Sequence, residues 1–323
     1  MSDTVHVAVA VIVDENNKVC ISLRHKDSHQ GGLWEFPGGK VEQGETVEQA
    51  LVREIKEELD LNISQSRRFI TITHDYQDKK VCLHVRKVTS YTGHATGLEN
   101  QQVEWVDADS LLSYNFPAAN LAIIKAIQLP DKYLITGKFI DSDDFFTKLK
   151  NALDNNIKLV QLRLKNTDSI GSEQVQALLE KAALSCHQSG AKLMLNLSPD
   201  LMNAVDLSRV AFSGIHADSR TLQLLSTAEV QQTSKDKLVS ASCHNENELR
   251  QALKLRADFV VLSPVQQTVS HPDMQALGWQ AFSTMIENMP IPVYALGGVS
   301  GDDLEIAWHH GAQGVAAISA FWK

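Results

Sequence analysis

The chain has 323 residues, of which 43% are hydrophobic and 21% charged, with a net charge of −9. That length suggests two globular domains, and the negative balance argues against a stable complex with a nucleic-acid backbone. No apolar run approaches the roughly 20 residues that a membrane span needs. In chain order, the opening MSDTVHVAVAVIVDENN has no basic stretch ahead of its apolar run, so it predicts a strand over 5–13 and not a signal peptide. Residues 18–24 (KVCISLR) read as its partner strand across an Asp14-to-Asn17 turn. A helix is expected over 47–59, strands over 68–74, 80–89 and 103–106, and a short helix over 118–128. Leu129-Pro130-Asp131 reads as a linker, giving one α+β domain over 1–130 and a second domain over 131–323. Cys20, Cys82, Cys186 and Cys243 are widely spaced and form no CxxC, which fits reduced thiols in a cytoplasmic protein.

Beyond the linker the rhythm changes. Short apolar runs recur at 132–136, 157–163, 192–196, 213–217, 238–242, 258–263, 291–296 and 314–319. Helical patterns fill most of the intervals, among them 172–189, 245–256 and 301–310. Strands alternating with helices suggest a (β/α)₈ TIM barrel, with an open doubly wound sheet as the alternative. About 190 residues is short for a barrel of this kind.

The densest chemistry lies between Gly39 and Leu61, GKVEQGETVEQALVREIKEELDL. On a helix over 47–59, Glu54 and Glu58 fall one turn apart with Glu57 beside them. Like charges so placed repel by a few tenths of a kcal/mol per pair. A divalent cation such as Mg²⁺, which prefers carboxylate oxygen, removes that repulsion. Gly38-Gly39 precede the helix and allow close backbone approach to a ligand. The combination suits a metal-bridged diphosphate. A solvated acidic helix face is the plainer alternative.

This segment resembles the Nudix hydrolase box. With LWEFPGGK from Leu33 and NFPAANLAIIKAI from Asn115, the likeness extends over residues 4–128 to the MutT branch of that family. The resemblance implies an α+β Nudix sandwich. It also implies Mg²⁺- or Mn²⁺-dependent hydrolysis of a nucleoside triphosphate, 8-oxo-dGTP, to the monophosphate and pyrophosphate, in the service of DNA repair and replication. Carried over residue by residue, Glu57, Glu58 and the Gly38 carbonyl ligate the metal. Glu54 binds metal and activates water, Arg53 orients Glu54 by a charge-assisted hydrogen bond, and Glu104 adds a further carboxylate from a loop. On the substrate side the resemblance points to Arg24, His29, Phe36, Gly39 and Asn120. Arg24 is alternatively a surface arginine, His29 a solvent-exposed loop residue and Phe36 a core residue. Asn120 either reads the oxidised guanine edge or caps the helix that follows. The family's usual Gly is Asp60 here, at a position expected to be left-handed, which Asp tolerates.

The second half resembles thiamine-phosphate synthase, through KYLIT, LVQLRLK, GIHAD, LVSASCHNENEL, ADFVVLSPV, IPVYALGGV and GVAAIS. Gln161, Arg163 and Lys165 share one strand face toward the barrel mouth, either for an anionic ligand or as an internal salt-bridge layer. Gly297-Gly298 after strand 7 and Ser319 ending strand 8 suit a phosphate, although glycine there also serves turn chemistry. The synthase pattern is broken at Asn196-Leu197-Ser198, Thr221 and Ser270-His271, where the family has Asn-Asp-Arg, Asp and Thr-Lys. Leucine cannot ligate Mg²⁺, so the expectation is a barrel that binds a phosphorylated ligand without its former metal chemistry. The alternatives are a bifunctional hydrolase and synthase, or a Nudix hydrolase acting on a thiamine-related diphosphate.

Overall fold

The computed structural model describes residues 4–27, 30–76, 79–164, 171–224, 237–268 and 275–323. The chain divides into two compact units, one of Met1–Leu129 and Ile286–Pro292, the other of Pro130–Met285 and Val293–Lys323.

In the first unit the strands are β1 (Val5–Val11), β2 (Lys18–Leu23), β3 (Trp34–Glu35), β4 (Gly38–Lys40), β5 (Asn62–Asp75), β6 (Lys80–Thr92) and β7 (Val103–Asp107). They form a four-stranded sheet in the order β4-β1-β6-β5 and a three-stranded sheet in the order β3-β2-β7. β1 and β2 are therefore not ladder partners. Only the bridge Val13↔Val19 and bonds around the Asp14 turn join them. The cause is visible in β1 itself. Val9 and Val11 enter one apolar core, while Ala8 and Ala10 enter another. A strand buried on both faces sits centrally, and β1 runs parallel to β6 and antiparallel to β4. β5 and β6 are longer than the apolar pattern predicts, because the polar stretch before Phe69 still pairs through register shifts between Ile63 and Ile70.

Helix α1 (Val47–Leu59) starts where its chemistry dictates. Thr46 accepts from the Gln49 N–H, and the Gln49 side chain returns the bond to the Thr46 N–H. Ala50, Leu51, Ile55 and Leu59 are buried. The helix ends at Asp60, in the left-handed conformation at φ 57° and ψ 22°, as expected from the sequence. Helix α2 (Asn120–Ile127) closes the unit.

The second unit is a closed barrel, which excludes the open sheet. Its strands are β8 (Lys132–Ile135), β9 (Leu159–Arg163), β10 (Lys192–Asn196), β11 (Gly214–Ala217), β12 (Leu238–Cys243), β13 (Phe259–Leu262), β14 (Val293–Leu296) and β15 (Gly314–Ala317), closing through β15 to β8. All adjacent pairs are parallel. Inside, Phe259 packs edge-on against Tyr133 and Tyr294, which are tilted to each other by 53°, with ring centroids 5.5–5.6 Å apart. β15 ends at Ala317, so Ser319 lies in the turn beyond it and does not end the strand. All four cysteines are free and buried. Among the described residues, no helix is long and apolar enough to cross a membrane.

Candidate functional site

The Gly38-Gly39 turn is pinned against α1. The Gly38 N–H donates to Glu58 Oε2 at 3.0 Å. Gly38 sits at φ +144°, and a Cβ there would lie 2.1 Å from the Ala8 carbonyl oxygen. A Cβ on Gly39 would meet the Glu54 carboxylate at 2.1–2.3 Å. Glycine at these two positions of β4 lets the strand lie against the Ala8 carbonyl at Gly38 and the Glu54 carboxylate at Gly39.

Arg53 gathers the acids of the helix and of the loop before it. Its Nε donates to Glu45 Oε1 at 2.8 Å and its Nη2 to Glu45 Oε2 at 2.9 Å. Nη1 donates to Glu54 Oε1 at 2.8 Å and to Glu57 Oε2 at 3.3 Å. Arg53 holds the Glu45 carboxyl down to about 2. Glu45 is a site residue to which the sequence assigned no role, although its place in the motif was visible. Glu58 behaves oppositely. Burial, then the nearby Glu35 charge, pushes it up to about 8. Glu35 is itself pushed to about 7 by burial, against the opposing pull of its ion pair with Arg24. Glu35 was also missed, because a glutamate on a two-residue strand carries no pattern of its own. Two half-buried acids held toward their neutral forms favour a cation nearby.

Beside this cluster lies a cleft of about 170 Å³, lined by Arg24, Glu35, Phe36, Gly38, Gly39 and Asn120 among others. Arg24 is not a plain surface arginine, since it is ion-paired to Glu35 and its side chain is 26% exposed. Phe36 is both core and wall, 2% exposed and stacked on Phe116 with centroids 5.4 Å apart. Asn120 does not cap α2. Ala119 holds the cap position without a side-chain bond, and Asn120 is the first helical residue. Its buried side chain instead borders the cleft. Glu104 lies on strand β7 and not on a loop, contrary to expectation; it accepts from Tyr114 Oη at 2.8 Å and Gln102 Nε2 at 2.7 Å, and it does not line this cleft. His29 lies outside the described residues.

The barrel mouth has a cavity of about 380 Å³ bordered by Gln161, Arg163, Asn196, Asp218, Ser242 and Gly297. Gly298 and Ser319 line a second one, together with Gly297. Lys165, Ser270 and His271 lie outside the described residues. The polar groups below the mouth bond to each other. Asn196 Nδ2 donates to Gln161 Oε1 at 2.8 Å, and Gln161 Nε2 donates to Tyr133 Oη at 3.0 Å. His216 contacts Ser240 Oγ through Nδ1 and Ser242 Oγ through Nε2, both at 2.8 Å. Burial holds its imidazole down to about 3. Gln161 thus belongs to a neutral hydrogen-bonded layer and not to a salt-bridge layer. Arg163 is depressed by burial and sustained by the Asp218 charge. Thr221 donates its N–H at 2.9 Å and its Oγ1 at 2.8 Å to Asp218 Oδ1. Leu197 is buried, 6% exposed. Gly297 and Gly298 have φ of +95° and +69°, so the turn itself requires glycine.

The first unit thus holds a carboxylate cluster against Gly38 and Gly39, and the second is a closed parallel barrel with Arg163 and Asp218 at its mouth. Comparison with known proteins gives each part its family: the chain belongs to the thiamine monophosphate synthase family through residues 132–321 and to the NUDIX domain family through residues 8–126. The first unit is 44% identical over 91 residues to an 8-oxo-dGTP diphosphatase of Proteus vulgaris, covering 28% of this chain and 81% of the relative. It is 32% identical over 118 residues to a CTP pyrophosphohydrolase of Escherichia coli K12, covering 36% and 87%. The barrel is 30% identical over 174 residues to a thiamine-phosphate synthase of Geobacillus thermodenitrificans, covering 53% and 75%. The chain is thus a Nudix hydrolase domain, of the class that acts on phosphoric anhydrides with a divalent cation, fused to a thiamine-phosphate-synthase-like barrel.

Proposed function

We propose that the Nudix unit hydrolyses 8-oxo-dGTP to 8-oxo-dGMP and pyrophosphate with Mg²⁺ or Mn²⁺, as part of nucleotide-pool sanitation. The observation that carries this reading is the Asn120 side chain at a cleft that also holds Gly38 and Gly39. A side-chain amide offers donor and acceptor together, which matches a purine edge that presents both.

What supports a divalent cation here is the gathering of acids: Glu58, half-buried, is pushed up to about 8 and accepts from the Gly38 N–H, and Gly39 lies so near the Glu54 carboxylate that a Cβ there would overlap it. Glu54, Glu57, Glu58 and the Gly38 carbonyl form the proposed ligand set. The bound cation supplies charge neutralisation for the triphosphate and for these acids. Arg53 fixes the Glu54 carboxylate, and Glu54 accepts the proton of the attacking water. Arg24 contacts phosphate, Phe36 walls the base pocket, and Asn120 reads the base.

For the barrel we propose binding of a phosphorylated small molecule through Arg163, Lys165, Gly297, Gly298 and Ser319, without formation of thiamine phosphate. Leu197 is buried where a ligand to Mg²⁺ is expected, and Asp218 is engaged by Thr221. A second reading, a bifunctional hydrolase and synthase, is favoured by the family match over residues 132–321.

Hydrolysis in ¹⁸O-water tests the hydrolase assignment. Attack on the β-phosphorus places the label in pyrophosphate. Label in the monophosphate, or release of orthophosphate, contradicts it.

A further inference from the structure

Outside the Nudix box, His6, Cys82 and His84 stand together on one face of the first unit's larger sheet. The register explains it. His6 on β1 pairs directly with Cys82 on the parallel strand β6, and His84 follows two residues on, on the same face. One ligand atom from each lies within 4.8 Å of the other two. The two imidazoles meet edge to edge. His6 Nδ1 and His84 Nε2 are 2.8 Å apart, with ring centroids 5.2 Å apart and planes inclined by 16°. Ring nitrogens facing each other this way share either a proton or a cation. Thr73 Oγ1 donates to Cys82 Sγ at 3.9 Å, which steadies the sulfur.

We propose that His6, Cys82 and His84 bind a borderline-soft divalent cation of the Zn²⁺ type, through a nitrogen and sulfur ligand set unlike the oxygen ligands of the Nudix box. Imidazole and thiolate are ligands that zinc favours over magnesium. Tetrahedral bonds of about 2.0–2.1 Å to nitrogen set the two nitrogens roughly 3.3 Å apart. The exposed His6 ring reaches that spacing by a small rotation. Burial, followed by the His6 and Arg68 charges, holds His84 below its ordinary value. Arg68 opposes a cation here, and Glu48 favours one. Three protein ligands leave one position for solvent.

The site's place in the fold gives it a consequence. The His6 carbonyl accepts from the Val41 N–H at 2.9 Å, and β1 holds Gly38–Lys40 in register through Val7–Val9. Zinc at this point ties β6 to the strand that supports the glycine turn. It stabilises the unit without entering the reaction.

Co²⁺ titration of the full chain in excess Mg²⁺ tests the site. The expected result is a near-ultraviolet thiolate-to-cobalt band saturating at one equivalent, displaced by Zn²⁺. The band is absent in Cys82→Ser, which keeps Mg²⁺-supported hydrolysis. In His6→Gln the affinity falls by more than about tenfold, since even outer-shell changes cost 10–100-fold. Zn²⁺ also raises the thermal midpoint of the wild type but not of Cys82→Ser. Absence of the band in the wild type, or its persistence in Cys82→Ser, overturns the proposal. Should Cys82→Ser fail to fold, His6→Gln at the exposed position decides alone, and an unchanged affinity there overturns it.

Discussion

Beside the N-terminal cleft two half-buried acids are pushed toward neutrality, whereas below the barrel mouth the buried polar groups are neutral partners that satisfy each other. Glu35 and Glu58 are both pushed toward neutrality by burial and by proximity, to about 7 and about 8. Asn196, Gln161 and Tyr133 form an unbroken chain of hydrogen bonds in the barrel, and His216 bonds at both ring nitrogens. Acids held toward their neutral forms favour a cation beside them. A self-satisfied layer makes no such demand and is stable empty. The contrast supports active metal chemistry in the first unit and ligand binding in the second.

The largest effect that can break this comparison is at the helix acids. Glu57→Gln and Glu58→Gln should each lower kcat by about 100-fold or more, as loss of a transition-state charge contact does. Circular dichroism should show the fold retained. Near-normal turnover in either variant would remove the metal role. Gly39→Ala comes next. The new Cβ displaces the Glu54 carboxylate, and a shift of about 1 Å costs on the order of 100-fold in rate. Its thermal midpoint should move little, because the displaced atoms end a flexible side chain. Asn120→Ala follows, expected to cut the preference for 8-oxo-dGTP over dGTP by about 10- to 100-fold while dGTP hydrolysis falls less. An equal loss for both substrates would assign Asn120 to packing alone.

The smallest effect is in stability against pH, read by hydrogen exchange in each unit of the metal-free chain. Glu58 and Glu35 have raised folded values. The folded state therefore binds more protons than the unfolded one above about 4.5, and their contribution is lost as pH rises through about 7 and 8. His216 has a lowered value, so the unfolded state binds more protons below 6.5. The barrel loses stability as pH falls from 6.5 toward about 3. The two units should thus slope in opposite directions between pH 4.5 and 6.5. Mg²⁺ should flatten the first slope by replacing the protons on the acids. Parallel slopes would show that the two polar layers do not differ as argued.

Much of this was legible in the residues, and the gaps have physical causes. Helix α1 could be read because Thr46 and Gln49 cap it and Asp60 ends it, all through local bonds. The barrel strands were legible because each is a short apolar run between helices. The pairing of β1 was not, since a strand buried on both faces shows no alternation to indicate its neighbours. Glu35 and Glu45 escaped notice as members of the site because their importance comes from partners 11 and 8 residues away, Arg24 and Arg53. The same holds for His6, Cys82 and His84, which only the parallel pairing of β1 with β6 brings together.

The proposed division of labour gives the carboxylate cluster and the Asn120 cleft one nucleotide reaction and the barrel none of the chemistry. It is tested most directly by kcat/KM for 8-oxo-dGTP, dGTP, CTP and thiamine diphosphate, measured with Mg²⁺ on one preparation of the full chain. The same preparation is given the two synthase substrates. The account predicts that 8-oxo-dGTP is preferred over every other diphosphate-containing substrate by about 10-fold or more, and that no thiamine phosphate forms. A preference for CTP or thiamine diphosphate, or thiamine phosphate formation abolished by Arg163→Ala, would contradict it.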